Sequence, residues 1–562
     1  MTAPPARMIL PADLAGDILV SAEGLSFWGG VDPETGVVID AHHPLHGQSL
    51  AGKIVLMPTS RGSCSGSGVL LELALNGHAP TALVFREAEE ILTLGALIAH
   101  RMFHKTIGIL RLPPAAYDQL AAQPSARITG GRLVAPGLDL PLHRASATDL
   151  ALSEADRAML GGAKGAPVAL AMDVIATIAT AQGATGLRNV TRGHIDGCIY
   201  AHPANLTFAR AMAEMGARVA IPTTINAVSV DRAVRPEPSL PPAFGAAASA
   251  LADAYVEMGA RPTFTCAPYL LEDVPRLGED IGWSESNAVI FANTVLGART
   301  AKHPDYLDLF IAMTGRAPET GVYLTEGRRP NVIIEVDLPA RFDDGIWPLI
   351  GWLAGRMSPE GIPLLTGLAG AAPSRDDLRA ICAAFGTTSA APMLHIAGVT
   401  PESTLPPLED AQHLRITEAD LSDAWKQLNG GPADVNLIAL GSPHFSLEET
   451  RAFAALMSGG AVRAGVSVII TLGRDVYQSV MAEGLVAALE ATGVRFHADL
   501  CWCSIVEPVF PPDTMVLMTN SGKYAHYAPG LSGRRVRFGS LTDCAHAAQN
   551  GHVPSDHPLW QR

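Results

Sequence analysis

At 562 residues the chain is too long for one hydrophobic core, and 48% apolar against 17% charged residues, with 54 glycines, suits well-buried α/β domains rather than disorder. A net charge of −15 argues against a nucleic-acid or anionic-membrane surface, so an anionic substrate needs a local basic or helix-N-terminal pocket. Seven cysteines, an odd number, with no signal-peptide core and no convincing transmembrane run, point to a reduced, cytoplasmic protein rather than a disulfide framework.

In chain order, strand-like runs ILVSAEGLSFW, GVVID and KIVLMP occupy residues 15–60, separated by Gly, Pro and Asp turns. A small-residue loop from Thr59 to Gly68 follows, holding Arg61, Ser63, Cys64, Ser65 and Ser67, and then a helix closed by Asn76-Gly77. Backbone N–H groups and hydroxyls at such a strand-to-helix junction favour a carboxylate or phosphate; a merely flexible connection is the alternative. The loop is not a Walker motif, because no Gly-Lys-Ser/Thr follows. TALVF and IGILRL flank a helical stretch at 87–103. A small domain at 1–140 is expected, with the Pro- and Gly-rich segment 123–148 reading as the linker to a large unit at 149–562.

From Ser153 onwards helices alternate with short apolar strands, as in NVIIEVDL before IWPLIGWLAGRM and VSVIITLG before a helix reaching Gly493. Thr417-x-x-Asp420, Ser446-x-x-Glu449 and Ser540-x-x-Asp543 predict helix starts. The alternation predicts parallel-sheet α/β lobes, with ligands beyond the carboxyl ends of the strands. Polar groups that follow strands there include His194 and Asp196, Thr223, Thr224 and Asn226, His395, and Ser521 with Lys523. Taken singly, each reads as readily as a cap, a turn or a satisfied core group.

Residues 262–300 gather Thr265, Cys266, Glu285, Ser286, Asn287 and Arg299 near loop-to-helix junctions, the places where binding groups concentrate. This segment reads as one wall of an active site, with Cys266 a cluster ligand. Cys501-Trp-Cys503 follows the strand VRFHADL, so an extended chain would turn both thiols to one side, and Cys544 falls one turn into the last helix. No Cys-x-x-Cys spacing occurs, and spacing alone leaves both an iron–sulfur site and ordinary buried thiols open.

Long motifs in order resemble the aconitase X family almost end to end: PTSRGSCSGSGVLLELALNG (58–77), GHIDG (193–197), IPTTINAVSVD (221–231), PTFTCAPY (262–269), WSESNAVIFANTVLGART (283–300), HIAGVTPES (395–403), HADLC (497–501) and MTNSGKYAHYAPG (518–530). The resemblance implies an aconitase-like fold, a small swivelling β/α domain before a large multi-lobed α/β domain. It also implies an iron–sulfur dehydratase whose cluster, [2Fe-2S] favoured over [3Fe-4S] or [4Fe-4S], is held by Cys266, Cys501 and Cys544, with Cys382 and then Cys503 as rivals for the third position. HADLC stands where an Asp-Thr-Cys turn is expected in many relatives. By the same resemblance Ser63 is the first choice of base, with Ser65 and Ser67 close behind and Lys523 or Arg61 assisting. Ser67, His194, Thr223, Thr224, Asn226, Glu285, Asn287 and Ser521 are expected around the substrate. The fused single-chain form implies dehydration of cis-3-hydroxy-L-proline to Δ1-pyrroline-2-carboxylate by a monomer; mevalonate 5-phosphate is the alternative substrate. Outside the family, a serine hydrolase and a non-catalytic anion binder remain as readings of the serine-rich loop.

Overall fold

The computed structural model describes residues 6–40, 43–61, 64–144, 147–233 and 240–561. Its small domain is built on one nine-stranded sheet. Leu14–Val20, Ile54–Met57, Ala82–Phe85 and Gly108–Arg111 pair in parallel at its centre, and antiparallel partners flank both edges. The central strands IVLM and ALVF are buried at every position, as expected where a parallel sheet is covered on both faces. Helix Gly66–Asn76 ends at Gly77, whose φ of 80° is the left-handed conformation a glycine supplies at no steric cost.

The segment 123–148 is not a linker. Ser125–Thr129, Arg132–Ala135 and Leu138–Pro141 form antiparallel hairpins on the edge of this sheet, and His143–Arg144 pairs at the other edge. The Gly and Pro residues that suggested a linker are hairpin corners: Gly130, Gly131 and Gly137 all have positive φ.

Three further lobes follow, each with a parallel sheet. In the first, Gly193–Ile195 lies between Thr223–Ile225 and Gly282–Trp283. In the second, Val332–Val336 lies between Pro363–Thr366 and Gln412–Ile416. In the third, the spatial order is Val494–Ala498, Ser467–Leu472, Leu437–Leu440, Val516–Thr519, Arg535–Phe538. The strand order there reverses between Leu437–Leu440 and Val516–Thr519, and a crevice opens beyond the carboxyl ends of strands at such a reversal. All three predicted capping boxes are present, with Thr417, Ser446 and Ser540 each accepting from the backbone N–H three residues on. The helix expected to run to Gly493 is two helices, Arg474–Ala482 and Leu485–Ala491, broken at Gly484. Among the described residues no helix is long and apolar enough to cross a membrane.

The small domain is docked against the first lobe through its first helix. Glu72 on that helix is buried, and its Oε2 accepts from the backbone N–H of Ala204, in the first turn of helix Pro203–Glu214, at 2.6 Å. A carboxylate from one domain thus satisfies an otherwise orphaned helix-start amide of the other. Ser67 adds a bond from its hydroxyl to the Asp305 carbonyl at 3.4 Å. Glu72→Ala is expected to cost about 1–3 kcal/mol by stranding that amide. The cost should appear as a lower urea midpoint with an unchanged far-ultraviolet spectrum; an unmoved midpoint would remove Glu72 from the interface.

Candidate active site

A cavity of about 520 Å³ opens where the small domain meets all three lobes. The small domain contributes Trp28, Asp40, Arg61 and Ser65; the first lobe contributes Asp196, Glu285, Asn287, Lys302 and Asp305. The second lobe contributes Ala383 and Thr387, and the third Cys503, Lys523, His526 and Tyr527. The first-lobe groups arise directly from topology. Ile195, Ile225 and Trp283 end three adjacent parallel strands, so Asp196, Asn226 and Glu285 emerge side by side from their carboxyl ends. Lys523 enters from the crevice of the third lobe, in the first turn of helix Gly522–Ser532.

These groups form one buried electrostatic unit. Lys523 Nζ lies 3.0 Å from Glu285 Oε1. Asn226 donates to the Asp196 carboxylate and, at 3.2 Å, to Glu285 Oε2. Burial opposes ionisation of Glu285, but the Lys523 charge and hydrogen bonds from Lys523 and Asn287 outweigh it and hold its pKa below the usual carboxylate range. Asp196 pairs with no cation among the described residues, and burial together with the Glu285 and Asp305 charges pushes its pKa well up. Asp196 is hydrogen-bonded to both Glu285 and Asp305, and its raised pKa favours its protonated form over theirs. Burial, opposed by a hydrogen bond from Ser65, raises Asp305 to about 6.

Ser65 occupies the N-cap position of helix Gly66–Asn76 yet makes no capping bond to its own helix. A serine at that position ordinarily caps. Here its hydroxyl is bonded across the domain boundary to Asp305.

Beneath the cavity, Cys266, Cys501 and Ala227 form a small buried cluster with Cys503 packed against it. The Cys501 thiol is hydrogen-bonded with those of Cys266 and Cys503, and it also accepts from the Cys503 backbone N–H at 3.4 Å. Cys503 reaches the cavity wall. Cys266 Sγ accepts from the His444 backbone N–H at 3.3 Å. The His444 ring is fully engaged: Nε2 donates to the Leu500 carbonyl at 2.7 Å, which leaves Nδ1 to accept from the Thr265 hydroxyl at 3.2 Å. The tautomer is thus fixed by the Leu500 carbonyl. Among the described residues no set of three His, Cys, Asp or Glu side chains is gathered to hold a metal ion. Thiols from separate loops at the floor of a cavity suit an iron–sulfur cluster, which takes thiolate ligands, better than a lone ion.

The remaining expected residues divide. Arg61 lines the cavity mouth and pairs with Glu23 and Asp40 at 3.4 and 3.5 Å. Asn287 lines the wall and supports it, with Oδ1 accepting from Tyr269 at 2.7 Å and Nδ2 donating to the Cys266 carbonyl at 3.1 Å. Ser63 lies outside the described residues. Ser67 is buried, with its hydroxyl donated to the Cys64 carbonyl at 2.9 Å. Ser521 caps helix Gly522–Ser532 and donates to the Ser442 carbonyl. His194 sits inside the sheet, its Nδ1 2.8 Å from the Thr224 hydroxyl. Thr223 and Thr224 line a different cavity, of about 220 Å³, near the start of these strands with Arg192 and Arg261.

Two cysteine expectations are corrected. Cys544 is on helix Leu541–Asn550, as its spacing predicted, but that helix turns it into the third-lobe core beside Val468 and Phe496, away from the other thiols. Cys382 is buried in the second-lobe core, where its thiol hydrogen-bonds with Thr294. The thiol that packs beside Cys266 and Cys501 is that of Cys503, and Cys501-Trp-Cys503 is a turn rather than an extended strand. Asp305 and Lys302 went unassigned because no motif marks them, and Tyr527 went unassigned although it lies within the 518–530 motif; Asp196 had the signal of an acidic residue directly after a strand.

Family models match the whole arrangement in order: the aconitase X swivel domain over residues 4–135, the first domain over 149–326, the second over 330–426 and the third over 435–550. The chain belongs to the aconitase X family. A cis-3-hydroxy-L-proline dehydratase of Pseudomonas aeruginosa is 46% identical over 99% of this chain and 98% of its own length. One of Hypocrea jecorina is 43% identical over 97% and 95%. The crystal structure of Thermococcus kodakaraensis aconitase X in its holo-form aligns with a TM-score of 0.64 at 27% identity, covering 72% of this chain and all of that one. This aconitase X chain therefore carries the swivel domain and the three catalytic-part domains in one polypeptide.

Carboxyls raised by burial bind more protons folded than unfolded, so they reduce stability as pH rises. Asp308, fully buried behind Asp196 and accepting its backbone N–H, is raised by burial to about 7, against about 3.9 unfolded. Its contribution falls away between these two values. Asp308→Asn is expected to flatten the decline in urea-unfolding stability across that window; equal slopes in variant and wild type would count against ionisation of Asp308.

Proposed function

We propose that the protein is an iron–sulfur hydro-lyase that eliminates water from cis-3-hydroxy-L-proline to give Δ1-pyrroline-2-carboxylate. The observation that carries this reading is the cavity itself, with a Ser65–Asp305 pair on one side, a proton-bearing Asp196 beside it and a thiol floor below. Near-full-length likeness to two dehydratases of that name supports the same substrate.

Cys266, Cys501 and Cys503 would hold the cluster, [2Fe-2S] being favoured over [3Fe-4S] and [4Fe-4S], and when bound it supplies a Lewis acid for the departing hydroxyl. Ser65 accepts the Cα proton of the substrate, and ionised Asp305 receives the Ser65 hydroxyl proton, so a serine that is a poor base at its free pKa gains a partner base. Asp196 gives its proton to the leaving 3-hydroxyl, which departs as water. Glu285, held ionised by Lys523, does not compete for that proton. The enamine product then tautomerises by moving its nitrogen-bound proton to C3, giving the imine. Arg61 and Lys302 provide the charge for the substrate carboxylate, and the acidic residues suit its ring ammonium.

That mixed charge also ranks the alternative. A mevalonate 5-phosphate substrate would have to place a phosphate among Asp40, Asp196, Glu285 and Asp305. A zwitterionic amino acid fits better.

The test is anaerobic incubation with cis-3-hydroxy-L-proline and detection of the cyclic imine; a brown protein that leaves this substrate untouched would sink the assignment. Within it, Ser65→Ala is expected to lower kcat by about 10²-fold or more with a small change in KM. Wild-type kcat/KM should rise with pH as Asp305 ionises near its value of about 6. Asp305→Asn should abolish that limb, and a limb that survives in this variant belongs to another group.

A further inference from the structure

The two thiol-bearing turns share an unusual backbone feature. Among the described residues five non-glycines have positive φ, and two of them stand two positions ahead of a cysteine: Phe264 at 41° before Cys266, and Asp499 at 69° before Cys501. Left-handed backbone is unfavourable for residues with a Cβ and persists only where surroundings enforce it. One side chain contacts both. The Arg474 guanidinium forks onto Asp499, Nε to Oδ1 at 3.0 Å and Nη2 to Oδ2 at 2.6 Å, and its Cζ lies 4.6 Å from the centre of the Phe264 ring. The turns come from different lobes, so this is a bridge between the first and the third.

The neighbours of Arg474 add to the grip. A Cβ on Gly473 would stand 2.9 Å from Thr265 Cβ, so only glycine admits this approach, and Asp475 pairs with Arg261 at 3.0 Å. Resting on the thiol set proposed above, we propose that Arg474 is the positioning residue that sets the spacing of Cys266 and Cys501, and with it the retention of the iron–sulfur cofactor. A planar guanidinium can fork with its edge and stack with its face; a lysine ammonium supplies the charge without either geometry.

The test compares wild type, Arg474→Met, Arg474→Lys and Phe264→Leu, purified anaerobically, by iron and acid-labile sulfide per chain and by visible circular dichroism. Arg474→Met is expected to hold its cofactor roughly tenfold or more weakly, the scale seen when supports of metal ligands are removed. Arg474→Lys should recover part of the content with an altered visible spectrum. Phe264→Leu, which removes the stack and keeps the fork, should lose iron to a chelator faster and guards against a misfolded Arg474→Met. Wild-type content, spectrum and chelation rate across the three variants overturn the inference. Cys501→Ser separates the two levels: wild-type content in that variant overturns the thiol set itself and this inference with it. Loss in Cys501→Ser beside wild-type content in Arg474→Met overturns only the role of Arg474.

Discussion

The Lys523–Glu285 pair, 3.0 Å apart and almost out of solvent, joins the third lobe to the first at the point where the cavity narrows. A buried pair of this kind contributes little net stability, because desolvation offsets much of the Coulomb attraction. Its consequence lies in proton placement. Lys523 commits one carboxylate of the cluster to its ionised form, and Asp196, lacking such a partner, becomes the member that carries a proton. Removing Lys523 would leave three adjacent carboxyls with no cation between them, and the division between acid and acceptor would be lost. The chemistry of the cavity follows from that division.

Closure of the small domain is tied to the same unit. Ser65 reaches Asp305 only when helix Gly66–Asn76 lies on helix Pro203–Glu214, where Glu72 meets the Ala204 amide. The docking contact and the Ser65–Asp305 contact both come from one short helix, so the position of the small domain and that of the proposed base are set together.

What the sequence made legible is what local chemistry decides. The capping boxes at Thr417, Ser446 and Ser540, the Gly77 helix stop and the parallel alternation each depend on residues a few positions apart, and each is present. The hairpins between Ser125 and Pro141 were hidden because their strands are short and their corners carry the same Gly and Pro that mark linkers. Ser65 was legible as a candidate, but its partner Asp305 was not, since nothing near Asp305 in sequence marks it. Thr223, Thr224 and His194 illustrate the opposite error: polar residues within the strands look like crevice groups, yet the groups that face the crevice follow the strand ends, one position on at Asp196 and two positions on at Glu285.

The cysteines sharpen the point, because motif matching and geometry separate there. Cys544 has an acidic neighbour, a helix and a plausible order in the chain, but the capping box at Ser540 fixes the phase of that helix and so directs Cys544 inward. Cys503 ranked low on motif matching, although an extended chain would have turned it to the same side as Cys501. The turn at Asp499 breaks that strand, and the Cys503 amide folds back onto Cys501 Sγ. A left-handed residue thus places the Cys503 sulfur beside those of Cys266 and Cys501. Backbone conformation of that kind is held by tertiary partners, here Arg474 on Asp499, so no reading of spacing alone could have ranked Cys503 above Cys544.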